Sequence, residues 1–181
     1  PHERDRYALM GRALYRAGAF DAAAGNLGKH LLIVPEDVAT RYLLARSLDS
    51  LGEIDRAIEE YERVRGQAPT TEDALTRLAR LYHAREDHGR ALAVLNGLVE
   101  IDPENVEAHF TRGEILRAGG DAEAAISAFE RVVTLDDSHV EAFDALARLN
   151  EPIDQGKAVA AYRRTIELSA DRPTPMFRLA D

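Results

Sequence analysis

Apolar residues in this chain fall at helical spacing in paired runs, as across 40–50 and 54–66, with polar residues on the intervening positions. The pairing repeats. Ala23, Ala57, Ala91, Ala125 and Ala158 stand at steps of 34, 34, 34 and 33. Four residues after each comes a large side chain: Leu27, Tyr61, Leu95, Phe129 and Tyr162. On a helix that spacing puts the pair on one face, where the larger residue fills a groove. A second small column, Gly11, Ala45, Ala79, Gly113 and Ala147, marks where two helices approach closely. Gly18, Gly52 and Gly120, with Glu86 in the third copy, predict the turn between the two runs, since glycine tolerates positive φ. Pro35, Pro69 and Pro103, followed by Asp137 and Ala170, predict where the second run ends, because proline cannot continue the helical ladder.

A period of 20–50 residues built from helical pairs predicts a solenoid, in which stacked neighbours bury what no single unit can bury alone. The small residue, the glycine turn, Ala-x-x-x-aromatic and the closing proline at a period of 34 resemble the tetratricopeptide repeat. The resemblance covers nearly the whole chain, as units 4–37, 38–71, 72–105, 106–139 and 140–172, with a sixth beginning at 173–181. It implies an all-α, right-handed α-solenoid of about five helix-turn-helix units forming one domain over 1–181. The chain also departs from the pattern. The column that holds Trp in the family carries Tyr7, Arg41, Leu75, His109 and Phe143. The fifth unit is one residue short and carries Pro152 near its turn, so its first helix is expected to end early.

Composition narrows the function classes. The chain has 181 residues, net charge −9 and no cysteine, which excludes disulfides, thiolate nucleophiles and Cys-ligated zinc. The acidic balance argues against a nucleic-acid partner. No apolar run approaches the roughly 18 residues that span a bilayer. Arg outnumbers Lys by 21 to 2, a bias expected of a GC-rich bacterial genome and one that also suits carboxylate recognition. The compartment stays open between cytoplasm and periplasm. An opening at Pro1 without Met leads to the expectation that the native N-terminus lies upstream.

No Walker loop, GxGxxG, HExxH, GxSxG or calcium-loop pattern occurs, so no enzyme activity and no cofactor are expected. His30, His88 and His109 fall in helix-packing columns, and His83 and His88, five apart, are poorly spaced for one helical face, so no metal site is expected. One column asks for more. In the family the first helix of each unit lines a concave groove, and the resemblance places Arg12, Arg46, Arg80, Glu114 and Arg148 on it at steps of 34. Neighbouring groove columns add Tyr15, Arg16, Tyr42, Arg77, Phe110 and Arg117. Arg and Tyr are enriched at binding hot spots. The competing reading is that each Arg pairs with a nearby acid, as Asp144 and Arg148 can at i,i+4. The clamp by which some family members grip the carboxylate of heat-shock chaperones maps onto Ala8, Arg12, Leu43, Asp73 and Arg77, of which Arg77 alone matches.

The leading expectation is a non-enzymatic adaptor that holds a protein or peptide partner with acidic groups in this groove. Two alternatives stand beside it. One is the recognition arm of a larger enzyme or of a secretion or assembly machine. The other is a homo-oligomeric scaffold joined through an exposed last interface. Ile166, Leu168, Met176, Phe177 and Leu179 are the candidates for that surface, where the protein is expected either to continue or to pair with another chain.

Overall fold

The structure is a computed structural model that describes residues 3–170. Met176, Phe177, Leu179 and the opening of a sixth unit lie outside the described residues. Ten helices are present among the described residues: α1 (Glu3–Arg16), α2 (Phe20–Ile33), α3 (Val38–Ser50), α4 (Ile54–Gln67), α5 (Glu72–Ala84), α6 (His88–Ile101), α7 (Val106–Ala118), α8 (Ala122–Leu135), α9 (Val140–Asn150) and α10 (Gln155–Ala170). They fall into two compact bodies, Pro1–Ile101 with α1–α6 and Asp102–Asp181 with α7–α10. In each body, consecutive helices form antiparallel-neighbour hairpins (α1 with α2, α3 with α4, and so on), and α2, α4 and α8 also pack on the odd-numbered helix that follows.

The sequence columns have direct packing causes. A Cβ placed on Gly11 would lie 2.6 Å from the Leu27 side chain, and one on Gly113 would lie 2.7 Å from the Phe129 ring. Those are the helix–helix contacts of their repeats, and any larger residue there must push the hairpin apart. Leu27, Tyr61, Leu95 and Phe129 are fully buried beneath the small columns. Truncating one of them to Ala leaves a cavity and costs on the order of 3–5 kcal/mol. In the C-terminal body Phe129 and Val132 of α8 pack with Ala142, Ala145 and Leu146 of α9, so one core serves both hairpins.

The turns inside the first four hairpins carry a left-handed residue, and Gly18, Gly52 and Gly120 supply it at φ 75°, 74° and 83°. Glu86 takes the same conformation at φ 60° without the freedom of glycine. Helix starts are capped by side chains. Asp37, Asn105 and Asp121 accept from the backbone N–H three residues on, at 3.0, 2.9 and 3.1 Å, and the His139 ring accepts from Ala142 N–H at 3.2 Å. The shortened fifth repeat shows in α9, which has 11 residues where α3, α5 and α7 have 13.

The column that departs from Trp is not simply degraded. Arg41 is buried, donates to the Pro35 carbonyl and pairs with Glu60 at 2.7 Å. His109 is buried with its Nε2 3.0 Å from the Pro103 carbonyl oxygen. Both side chains reach back six residues to the proline that closed the preceding repeat, so a polar contact holds the repeat junction where bulk apolar packing would otherwise do so. Each also satisfies a backbone carbonyl in the turn between repeats.

Candidate functional site

The first helices of the three N-terminal repeats bring their predicted groove residues together. Tyr15 ends α1, Tyr42 and Arg46 stand one turn apart on α3, and Asp73 and Arg77 stand one turn apart on α5. The Arg46 guanidinium carbon lies 5.3 Å from the Tyr15 ring centre and 5.7 Å from that of Tyr42. Arg46 is therefore shared between two aromatic faces from adjacent repeats, an arrangement that favours the cation and restricts its rotamers. Among the described residues it forms no ion pair.

Beside it, Tyr42 donates its hydroxyl hydrogen bond to Asp73. Arg77 holds Asp73 at 3.0 Å on its own helix and Asp49 of α3 at 3.3 Å. Asp73 is partly desolvated, which alone would raise its pKa. The hydrogen bonds from Tyr42 and Arg77, with the charges of Arg77 and Arg46, outweigh this and hold its carboxyl below the usual range. Burial and the neighbouring Asp73 push the Tyr42 phenol up. Under this layer the Tyr61 ring meets Tyr42 edge-on, with centroids 6.3 Å apart. Burial above all, then the charge of Asp49, raises the Tyr61 phenol as well, so both tyrosines stay neutral over the physiological range, and of the two only Tyr42 donates to a partner among the described residues.

The remaining predicted residues of this body stand on its first helices in the same or neighbouring columns. Arg12, Arg16 and Arg80 are exposed. Arg12 and Arg16, like Arg46, form no ion pair among the described residues. The N-terminal surface thus carries an Asp49–Arg77–Asp73 network of two carboxylates and one guanidinium, beside Arg12, Arg16 and Arg46, which form no ion pair among the described residues.

In the C-terminal body the same columns behave differently. Arg148 is 2.8 Å from Asp144, and Arg117 is 2.9 Å from Glu114, each pair on one helix. Phe110 is half-buried and packs on the His139 ring at 4.6 Å between centroids and edge-on against Phe129 at 5.7 Å. Phe110, Glu114 and Arg117 of α7 with Val140, Asp144 and Arg148 of α9 line a cleft of about 650 Å³. Its floor is apolar and its rim is made of paired charges. Ile166 on α10 is 67% exposed, whereas Leu168 is half-buried.

One pairing escaped the sequence. His83 ends α5 and His88 begins α6, and their Nδ1 atoms are 3.2 Å apart. Spacing along one helix predicts that residues five apart diverge, but these two sit on different helices, and the turn through Glu86 folds them together. The signal available was the Gly-column turn between them. Among the described residues no helix is long and apolar enough to cross a membrane.

Stacked helical hairpins with a small-residue seam, a left-handed turn and a closing proline define a helical repeat protein. The tetratricopeptide repeat family matches at residues 8–71, 42–105 and 76–140, and the chain belongs to that family. Among curated proteins it is 25% identical over 144 residues to the protein O-mannosyl-transferase TMTC1 of Mus musculus, covering 76% of this chain and 15% of that protein. It is 27% identical over 113 residues to the BBSome complex member BBS4 of Bos taurus, covering 62% of this chain and 22% of that protein. The chain thus spans less than a quarter of either relative's length. Among solved structures, MamA 41-end from Desulfovibrio magneticus RS-1 superposes with a TM-score of 0.88 at 20% identity, covering 96% of this chain and 99% of that one. YrrB, a TPR protein described as having an unusual peptide-binding site, superposes with a TM-score of 0.79 at 20% identity, covering 92% and 86%. Identities at this level establish the shared fold.

Proposed function

We propose that this chain is a non-enzymatic protein-interaction scaffold whose N-terminal body takes a partner peptide through a carboxylate of that peptide. The observation that carries the reading is Arg46, held between Tyr15 and Tyr42 and unpaired by any acid among the described residues. Two aromatic faces leave the edge of the guanidinium as its outlet, and that edge is a fork of N–H donors matched to a carboxylate. Tyr and Arg at one place are also the residue types that carry binding energy. Arg12 and Arg16 add positive charge, so a peptide with several acids is favoured over one with a single acid. The peptide-binding description of YrrB supports the general mode, though not this site.

The test is binding of labelled acidic, neutral and basic peptides by anisotropy, for the wild type and Arg46→Gln. Acidic peptides bind, weaken as salt rises because the attraction is partly exposed, and lose affinity in the variant. Equal binding of basic peptides, or an Arg46→Gln protein that binds as wild type with unchanged helicity, sinks the proposal. A second reading, the interaction arm of a longer protein, is favoured by the short span of TMTC1 that the chain matches. It keeps the same surface and differs in what the chain is tethered to.

A further inference from the structure

The geometry points to a metal-binding clip in the third repeat, formed by His83 of α5 and His88 of α6 and selective for late first-row divalent cations such as zinc or nickel. This site is independent of the peptide-binding proposal. Two imidazole nitrogens that bind one zinc ion at 2.0–2.1 Å with tetrahedral angles stand about 3.3 Å apart. The Nδ1 atoms of His83 and His88 stand 3.2 Å apart, with ring centroids 5.1 Å apart and a tilt of 39° between the ring planes. The spacing required for a two-nitrogen bite is therefore already present, and small rotations of the two rings turn both lone pairs toward one ion. Without metal, one ring must donate a proton to the other across that gap. With metal, both Nδ1 atoms become ligands and the bridging proton moves to Nε2 of the ring that carried it, so each ring binds as a neutral Nε2–H imidazole.

Three further features fit. Both rings are half-buried, so each retains an open side for the remaining ligands. The two histidines come from separate helices, so the ion would tie the end of α5 to the start of α6. They also flank the one of the four left-handed turns among the described residues that lacks a glycine, where Glu86 takes φ 60°. The left-handed position brings the helix ends round so that the rings face each other. Among the described residues no cluster of three or more His, Cys, Asp or Glu is placed to hold a metal ion, so the protein supplies two ligands and water completes the shell. Imidazole suits zinc, copper and nickel and not magnesium or calcium.

The experiment is calorimetric titration of zinc chloride and, separately, nickel chloride into the protein, its His83→Asn, His88→Gln, His88→Cys and His139→Gln variants. The wild type and His139→Gln are expected to take one equivalent with the same affinity. His83→Asn and His88→Gln lose at least tenfold, while His88→Cys, which keeps a zinc ligand, retains zinc binding. Zinc raises the unfolding temperature of the wild type and leaves those of His83→Asn and His88→Gln unmoved, because only a clip across both helices stabilises the folded form by binding it. Magnesium produces neither effect. No saturable binding by the wild type, or the same affinity in wild type, His83→Asn and His88→Gln, overturns the assignment.

Discussion

Arg46 and Arg148 occupy the same column of the repeat, and they do opposite things. Arg46 in the N-terminal body lies over two tyrosine rings, and Arg148 in the C-terminal body is held 2.8 Å from a carboxylate. The residue one helical turn earlier separates the two cases. It is Tyr42 before Arg46 and Asp144 before Arg148. Arg77, in the neighbouring column, follows Asp73 at the same spacing and is paired like Arg148. In these cases the residue at i−4 separates a guanidinium stacked on aromatic rings from one paired with a carboxylate. An i,i+4 ion pair on a helix is worth only about 0.3–0.5 kcal/mol to stability. That energy is below thermal energy, so what distinguishes Arg148 is the negative charge of Asp144 beside it, which offsets the attraction of the guanidinium for an anionic ligand.

The largest effect expected from breaking this comparison is Arg46→Glu. It places a like charge against an acidic peptide and removes its anchor, costing about 2–4 kcal/mol of binding, while Arg148→Glu leaves that binding within about 0.5 kcal/mol. Calorimetry on both variants with one acidic peptide checks the contrast. Next is the exchange of neighbours. Tyr42→Asp should convert Arg46 into a paired arginine and weaken binding by about 1–2 kcal/mol, and Asp144→Tyr should free Arg148 and create measurable anion binding in the C-terminal body. Near-unchanged binding in both exchanges would show that the i−4 residue is not the control.

Smaller effects concern stability. Glu86 occupies a conformation that costs an L-residue about 1–2 kcal/mol, part of which Glu86→Gly returns to the greater freedom of an unfolded glycine. A net gain of about 0.5–1 kcal/mol in urea unfolding is expected, against a loss for Gly52→Ala in the second repeat. The smallest effect follows from Asp37. Partial burial would raise its carboxyl, but the Thr40 backbone and hydroxyl hydrogen bonds and His30 hold it below its ordinary value. Its unfolded pKa is about 3.9, so its contribution is complete above that pH and is lost as pH falls through the lowered folded value. Asp37→Asn is expected to flatten the acid limb of stability against pH and to leave its shape near neutrality unchanged.

Much of the fold was legible because its cause is local and periodic. Gly11 and Gly113 are small because Leu27 and Phe129 lie against them, and Gly18, Gly52 and Gly120 are glycines because φ is positive there. A 34-residue period reports such constraints directly. The site was legible only as a set of candidates. The sequence placed Tyr15, Tyr42, Arg46 and Arg77 on the first-helix surface, but it offered no means of pairing Arg77 with Asp49, 28 positions away and on the preceding repeat. That contact depends on how two repeats stack. The meeting of His83 with His88 was missed for a related reason: helical spacing rules do not apply across a turn. Arg41 and His109 read as departures from a packing column, and their bonds to the Pro35 and Pro103 carbonyls appear only once the repeat junction is built.

The most direct measurement is a double-mutant cycle between Arg46 and a bound peptide. An acidic peptide and its carboxamide counterpart are titrated into the wild type and Arg46→Gln, giving four affinities from one cycle. If a peptide carboxylate sits on the Arg46 edge, the loss from removing the carboxylate is large in the wild type and nearly vanishes in Arg46→Gln. If the two losses simply add, no carboxylate of that peptide meets Arg46, and the claim that this tyrosine-held arginine is the receptor is wrong.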